Sequence, residues 1–129
     1  MDKTKRDKYL KIFRAEAEEH LKSIRENLLL LERQGGDQEA LNSVLRSAHT
    51  IKGSSRMVGL EEIGKMAHRM EDLLKAIEEG KQQLNGPNLE LLLRGLELIE
   101  RMIINPDQVD EKTQEMMVQC LVAAAEGKK

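Results

Sequence analysis

The chain has 129 residues, of which 34% are charged and only 2% aromatic, with no tryptophan, one tyrosine and one phenylalanine. Such a length holds one domain with one aliphatic core, and the abundance of Leu, Ala, Met, Glu, Lys and Gln favours helix over strand. A formal net charge of −2 excludes a strong non-specific affinity for nucleic acid or anionic membrane, since both require an excess of Lys and Arg.

Between Asp7 and Arg33, the apolar residues Leu10, Phe13, Ala17, Leu21, Ile24, Leu28 and Leu31 recur at steps of three and four, the spacing of one helical face. The run Gln34-Gly35-Gly36-Asp37 ends this first helix and offers Asp37 as the N-cap of a second, whose stripe is Leu41, Val44, Leu45, Ala48, Ile51 and Ser55. Met57-Val58-Gly59 reads as a turn. Leu60 opens a third segment through Ile63, Met66, Ala67, Met70, Leu74 and Ile77, which Gly80 terminates. A fourth helix has Pro87 in its first turn, buries Leu89, Leu92, Leu93, Leu96, Ile99 and Ile103, and closes at Asn105-Pro106. A fifth and weaker helix is expected from about Asp107 to Ala125, on Val109, Met116, Met117, Cys120 and Leu121.

Short connections favour antiparallel neighbours, so the expected fold is all-α: an antiparallel up-down four-helix bundle with an additional C-terminal fifth helix, packed outside it or extending it. The whole chain, 1–129, is read as one domain, with its core bundle at about 7–105 and the C-terminal helix at about 107–125. The lone Cys120 excludes an intrachain disulfide and a zinc site built on several thiolates, which fits a reducing compartment and makes the cytoplasm the expected location. The longest apolar runs, 28–31 and 120–125, fall far short of the roughly 20 residues that span a bilayer, and the N-terminus is charged, so no membrane association is expected.

A plain bundle would not choose the second-helix run Ala48-His49-Thr50-Ile51-Lys52-Gly53-Ser54-Ser55. At about 100° per residue, His49 lies roughly 110° from the centre of the buried stripe and should be accessible. Lys52 and Gly53 sit one turn further along on the same side. Gly53 costs its helix about 1 kcal/mol relative to Ala, which makes sense if another molecule must approach beside the imidazole. On the third helix, His68 and Glu71 share a flank that could face His49. A carboxylate at Glu71 accepting a hydrogen bond from one ring nitrogen would fix the tautomer and leave the other nitrogen as a nucleophile, with Lys52 offering positive charge to a phosphoryl group.

The run from Ala48 to Ser55, followed by Gly59-Leu60 and then by Ala67-His68-Arg69-Met70-Glu71-Asp72-Leu73-Leu74, resembles the histidine phosphotransfer domain, and most of all the N-terminal phosphotransfer domain of chemotaxis-type histidine kinases. The resemblance covers roughly residues 7–105. It implies a four-helix bundle, often with a fifth helix, whose histidine is phosphorylated by a histidine kinase catalytic domain and passes the phosphoryl group to an aspartate of a response-regulator receiver domain. On that resemblance His49 is the phosphoryl-accepting residue, Lys52 assists at the phosphate, Gly53 is the small residue beside it, and His68 and Glu71 tune the histidine. Arg56-Met57-Val58 departs from the family, where a small residue and an aromatic are frequent. Arg56 reads equally as a docking contact for an acidic partner and as a plain surface charge.

Other chemistries fit poorly. A di-iron bundle needs Glu-x-x-His pairs, yet Ala17, Arg46 and Lys65 stand three residues before His20, His49 and His68. No phosphate-binding loop of the Walker type is present and nothing resembles an ATP lid, so no cofactor or metal is expected in this domain, and ATP and Mg²⁺ are expected on the partner domains. Two alternatives stand beside the kinase-fed reading: a free-standing phosphorelay protein shuttling phosphoryl groups between receivers, and a non-catalytic adaptor bundle.

Overall fold

The computed structural model describes residues 2–128, and they fold as five α-helices: α1 (Lys3–Arg33), α2 (Gln38–Met57), α3 (Glu61–Glu78), α4 (Gly86–Ile104) and α5 (Glu111–Glu126). Side chains cap four of these helices at their N-termini. Asp37 accepts from the Ala40 amide at 3.0 Å and Asn85 from the Asn88 amide at 3.0 Å, satisfying donors that the first helical turn leaves free. Two boundaries differ from expectation. α1 starts at Lys3 instead of Asp7, because Asp2 accepts from the Lys5 amide at 2.9 Å and supplies a cap three residues ahead of it. α5 starts at Glu111 instead of about Asp107, because residues Pro106–Gln108 form a 3₁₀ turn under Asn105 and the true cap is Asp110, which accepts from the Thr113 amide at 2.7 Å.

In the bundle α1 packs against α2 and α4, and α3 packs against α2 and α4, so the four helices close into a ring without diagonal contact. That is the up-down arrangement that short loops impose. Leu28, Val44, Met66, Leu73, Leu92 and Leu96 are fully buried at its centre. The fifth helix lies outside the ring against α3 and α4, anchored by the fully buried Leu121.

The tightest seam joins α2 to α3. Gly59 ends α2 with φ +82°, a conformation that L side chains avoid, and the Leu60 amide returns to the Ser55 carbonyl at 2.8 Å. The chain therefore reverses within a few residues. Gly64 of α3 then faces the fully buried Ser55, and a Cβ there would stand 2.8 Å from Arg56 Cγ and 3.0 Å from Ser55 Oγ. Two small residues thus let the helices approach one turn away from Lys52. No helix among the described residues is long and apolar enough to cross a membrane.

Candidate functional site

The close α2–α3 seam brings three polar side chains together. His49 Nδ1 lies 2.7 Å from Glu71 Oε2, and Lys52 Nζ lies 2.6 Å from Glu71 Oε1, so the two carboxylate oxygens are divided between imidazole and ammonium. Their exposures differ sharply. The Glu71 side chain is 3% exposed and that of Lys52 17%, whereas the His49 side chain is 66% exposed. A buried acid thus holds an imidazole that stands in solvent.

Burial by itself pushes the Glu71 carboxyl pKa up, but the hydrogen bonds from Lys52 and His49 outweigh it, aided by the charges of Lys52 and Lys75, and the net direction is down. Glu71 is therefore ionised at neutral pH. An ionised carboxylate only accepts, so Nδ1 of His49 carries the proton and donates it, and the neutral ring keeps its lone pair on Nε2. This is an oriented nucleophile on an open surface.

The structure refines four expectations. Glu71 lies within the buried stripe of α3 and not on its flank, because Gly64 and Ser55 let α2 close over it. Lys52 is committed to Glu71 and does not project freely toward an incoming phosphate. His68 is not joined to His49: its Nε2 faces Asp72 Oδ1 at 3.6 Å, one turn along the outer surface of α3. Gly53 is exposed, and a Cβ built on it would meet nothing within 4 Å, so no internal packing requires the glycine. Arg56 is exposed as expected, although its stem lies over Gly64. Sequence reasoning missed Gly64. Its signal was a mid-helix glycine seven residues before Glu71, hence two turns away on the same stripe. Among the described residues no group of three or more His, Cys, Asp or Glu side chains is placed to hold a metal ion.

With the oriented imidazole in place, comparison with known proteins is decisive. The sequence matches the family described as Hpt domain over residues 8–103. The chain belongs to the Hpt domain family. It is 36% identical over 94 residues to the chemotaxis protein CheA of Halobacterium salinarum, a match that covers 73% of this chain and 14% of that protein. The CheA phosphotransferase domain from Thermotoga maritima is 28% identical with a TM-score of 0.73, over 78% of this chain and 96% of that one. The phosphorylated P1 domain of CheA3 from R. sphaeroides, solved in complex with CheY6, superposes with a TM-score of 0.84 at 21% identity, over 95% of this chain and 99% of that one. At that identity the likeness is one of fold, and it extends over α5. This chain is thus a CheA-like Hpt phosphotransfer domain that corresponds to about one seventh of the curated relatives' length.

Proposed function

We propose that His49 is the residue through which this Hpt domain carries a phosphoryl group between an ATP-bound histidine kinase catalytic domain and the aspartate of a response-regulator receiver, within a cytoplasmic chemotaxis-type signalling system. The observation that carries this reading is the exposed imidazole held at Nδ1 by the buried carboxylate of Glu71. In the first half-reaction the Nε2 lone pair attacks the γ-phosphorus of ATP held by the kinase. The N–P bond forms, the P–O bond to ADP breaks, and its electron pair leaves on the ADP oxygen. The ring then bears a positive charge, which the adjacent Glu71 carboxylate offsets. In the second half-reaction a receiver carboxylate oxygen attacks the same phosphorus, and the N–P electron pair returns to Nε2. Magnesium and in-line geometry belong to the partners, and this domain contributes orientation and a tuned nucleophile.

Gly53 supports the same reading. An exposed mid-helix glycine that relieves no clash inside the molecule leaves room for a partner beside His49. His68 and Arg56, within the same α2–α3 region, are proposed as a supporting group and a docking contact. Because both partners must use one open helical surface in turn, each complex should be transient.

Incubation with ATP and a CheA-type kinase core lacking its own phosphotransfer domain should label His49. Labelling from a phosphorylated receiver but not from the kinase would instead assign the domain to a phosphorelay. Full signalling activity of a His49→Gln variant would make it a non-catalytic adaptor.

A further inference from the structure

A phosphoryl group on His49 Nε2 would carry up to two negative charges into the space outside α2, and some cation should meet it. The sequence pattern favours Lys52, but the structure spends that ammonium on Glu71 at 2.6 Å, with only 17% of its side chain exposed. Turning Lys52 outward would strip a buried carboxylate of its strongest partner. Lys75 acts on Glu71 from α3 and has Glu71, Asp72, Glu78 and Glu79 at the helical positions three and four residues away, so its charge is already shared among carboxylates. Arg56 stands two turns beyond His49, and its stem is drawn across Gly64 toward α3.

Arg46 differs from all three. It stands three residues before His49 on α2, close enough for the two side chains to be surface neighbours, and helical side chains lean toward the N-terminus, which tilts the imidazole over the turn that carries Arg46. It is exposed, and among the described residues its guanidinium has neither an ion-pair nor a hydrogen-bond partner. Its own helix gives it none to choose: the residues three and four positions away are Asn42, Ser43, His49 and Thr50, without a carboxylate among them. Glu71 pulls Nδ1 toward α3 and so turns the Nε2 edge of the ring away from the carboxylate. At about 100° per residue, Arg46 lies on the opposite side of His49 from Lys52, which shares that carboxylate.

We infer that Arg46 is the phosphoryl-binding cation of this domain, its guanidinium fork pairing with the oxygens of the phosphoryl group on His49 Nε2, while Lys52 serves Glu71. The inference rests on His49 being the phosphorylated residue. The guanidinium is suited to the task because its planar donors match two phosphoryl oxygens at once and its charge is not spent elsewhere.

The test uses the intact chain phosphorylated with phosphoramidate, a small donor that bypasses any kinase, and follows the phosphohistidine by ³¹P NMR as pH is varied. A paired cation favours the dianion, so Arg46→Gln should raise the pKa of the last phosphoryl ionisation by at least about 0.3 unit, while Arg46→Lys keeps most of the wild-type value. Circular dichroism should show the helix content of Arg46→Gln unchanged, since the side chain is exposed and Gln is also a good helix former. An unmoved titration in Arg46→Gln, or a shift as large in Arg56→Gln, would overturn the assignment while leaving His49 as the acceptor. Absence of any phosphohistidine at His49 in the wild-type chain would overturn both.

Discussion

Two of the ion pairs that bridge helices lie on different seams of the four-helix ring and have opposite characters. Arg25 of α1 and Glu100 of α4 meet at the surface with side chains 42% and 37% exposed, where solvent screens the attraction and the pair contributes little. Lys52 of α2 and Glu71 of α3 meet where the carboxylate is 3% exposed, and there desolvation makes the acid costly to keep. Replacing both members of a buried pair by well-packed apolar residues is often neutral or stabilising, so stability alone does not account for this one. The buried carboxylate is therefore explained by what it does for His49, and Lys52 is explained by what it does for the carboxylate.

The largest effect expected is on chemistry. Glu71→Ala should slow phosphorylation of His49 by a CheA-type kinase at least about tenfold, by analogy with metal-site histidines, where loss of the carboxylate that orients the ring through its other nitrogen costs about 10–100-fold. Its circular dichroism spectrum should stay helical. An unchanged initial rate would remove Glu71 from the mechanism and make it a structural acid like Glu100.

Next comes stability. Lys52→Met should destabilise the fold by about 2 kcal/mol in urea unfolding, the cost of leaving a charged buried acceptor short of its donor. Arg25→Met should cost less than about 1 kcal/mol. Equal losses at the two sites would erase the contrast between the seams. Acid should separate them as well. Because the folded pKa of Glu71 is depressed, its pairing stabilises the protein above the ordinary carboxylate range and loses that contribution as pH falls through the lower folded value. Glu71→Gln should therefore flatten the acid limb of the stability profile, read by thermal melts between neutral pH and pH ~3.

The two mid-helix glycines of this region sharpen the comparison further, with smaller effects of opposite sign. Gly53→Ala meets open space and should stabilise the fold by up to about 1 kcal/mol while slowing transfer to a receiver protein, because the new methyl projects only toward a partner. Gly64→Ala places a methyl against Arg56 Cγ and Ser55 Oγ and should destabilise by about 1 kcal/mol after the gain in helix propensity is deducted. Urea unfolding of both variants checks the signs.

Much of this was legible in the sequence, for reasons that individual residues make clear. Wherever apolar residues at three- and four-residue steps face the core, as from Phe13 to Leu31 or Leu89 to Ile103, the helix and its buried side follow from periodicity alone. The start of α1 escaped that logic because residues 2–9 are all exposed and carry no stripe, leaving only the Asp2 cap to mark it. The start of α5 escaped it because Asp107 and Asp110 are both credible caps, and a 3₁₀ turn decides between them. His49 and Gly53 were readable because each breaks the rule of its own helix. The burial of Glu71 and the capture of Lys52 were not, because both depend on how closely α2 and α3 approach, and that distance is set between helices by Gly64 and Ser55. His68 was expected to share with Glu71 a flank facing His49, and its Nε2 instead faces Asp72 Oδ1, one turn along α3.

The central claim is that Glu71 holds the Nδ1 proton of His49 and so frees Nε2 to react. Imidazole ¹⁵N NMR of His49, before and after phosphorylation, tests it directly. The account predicts a neutral ring protonated at Nδ1 and a phosphoryl group bonded to Nε2. A ring protonated at Nε2, or a phosphoryl group on Nδ1, would contradict it.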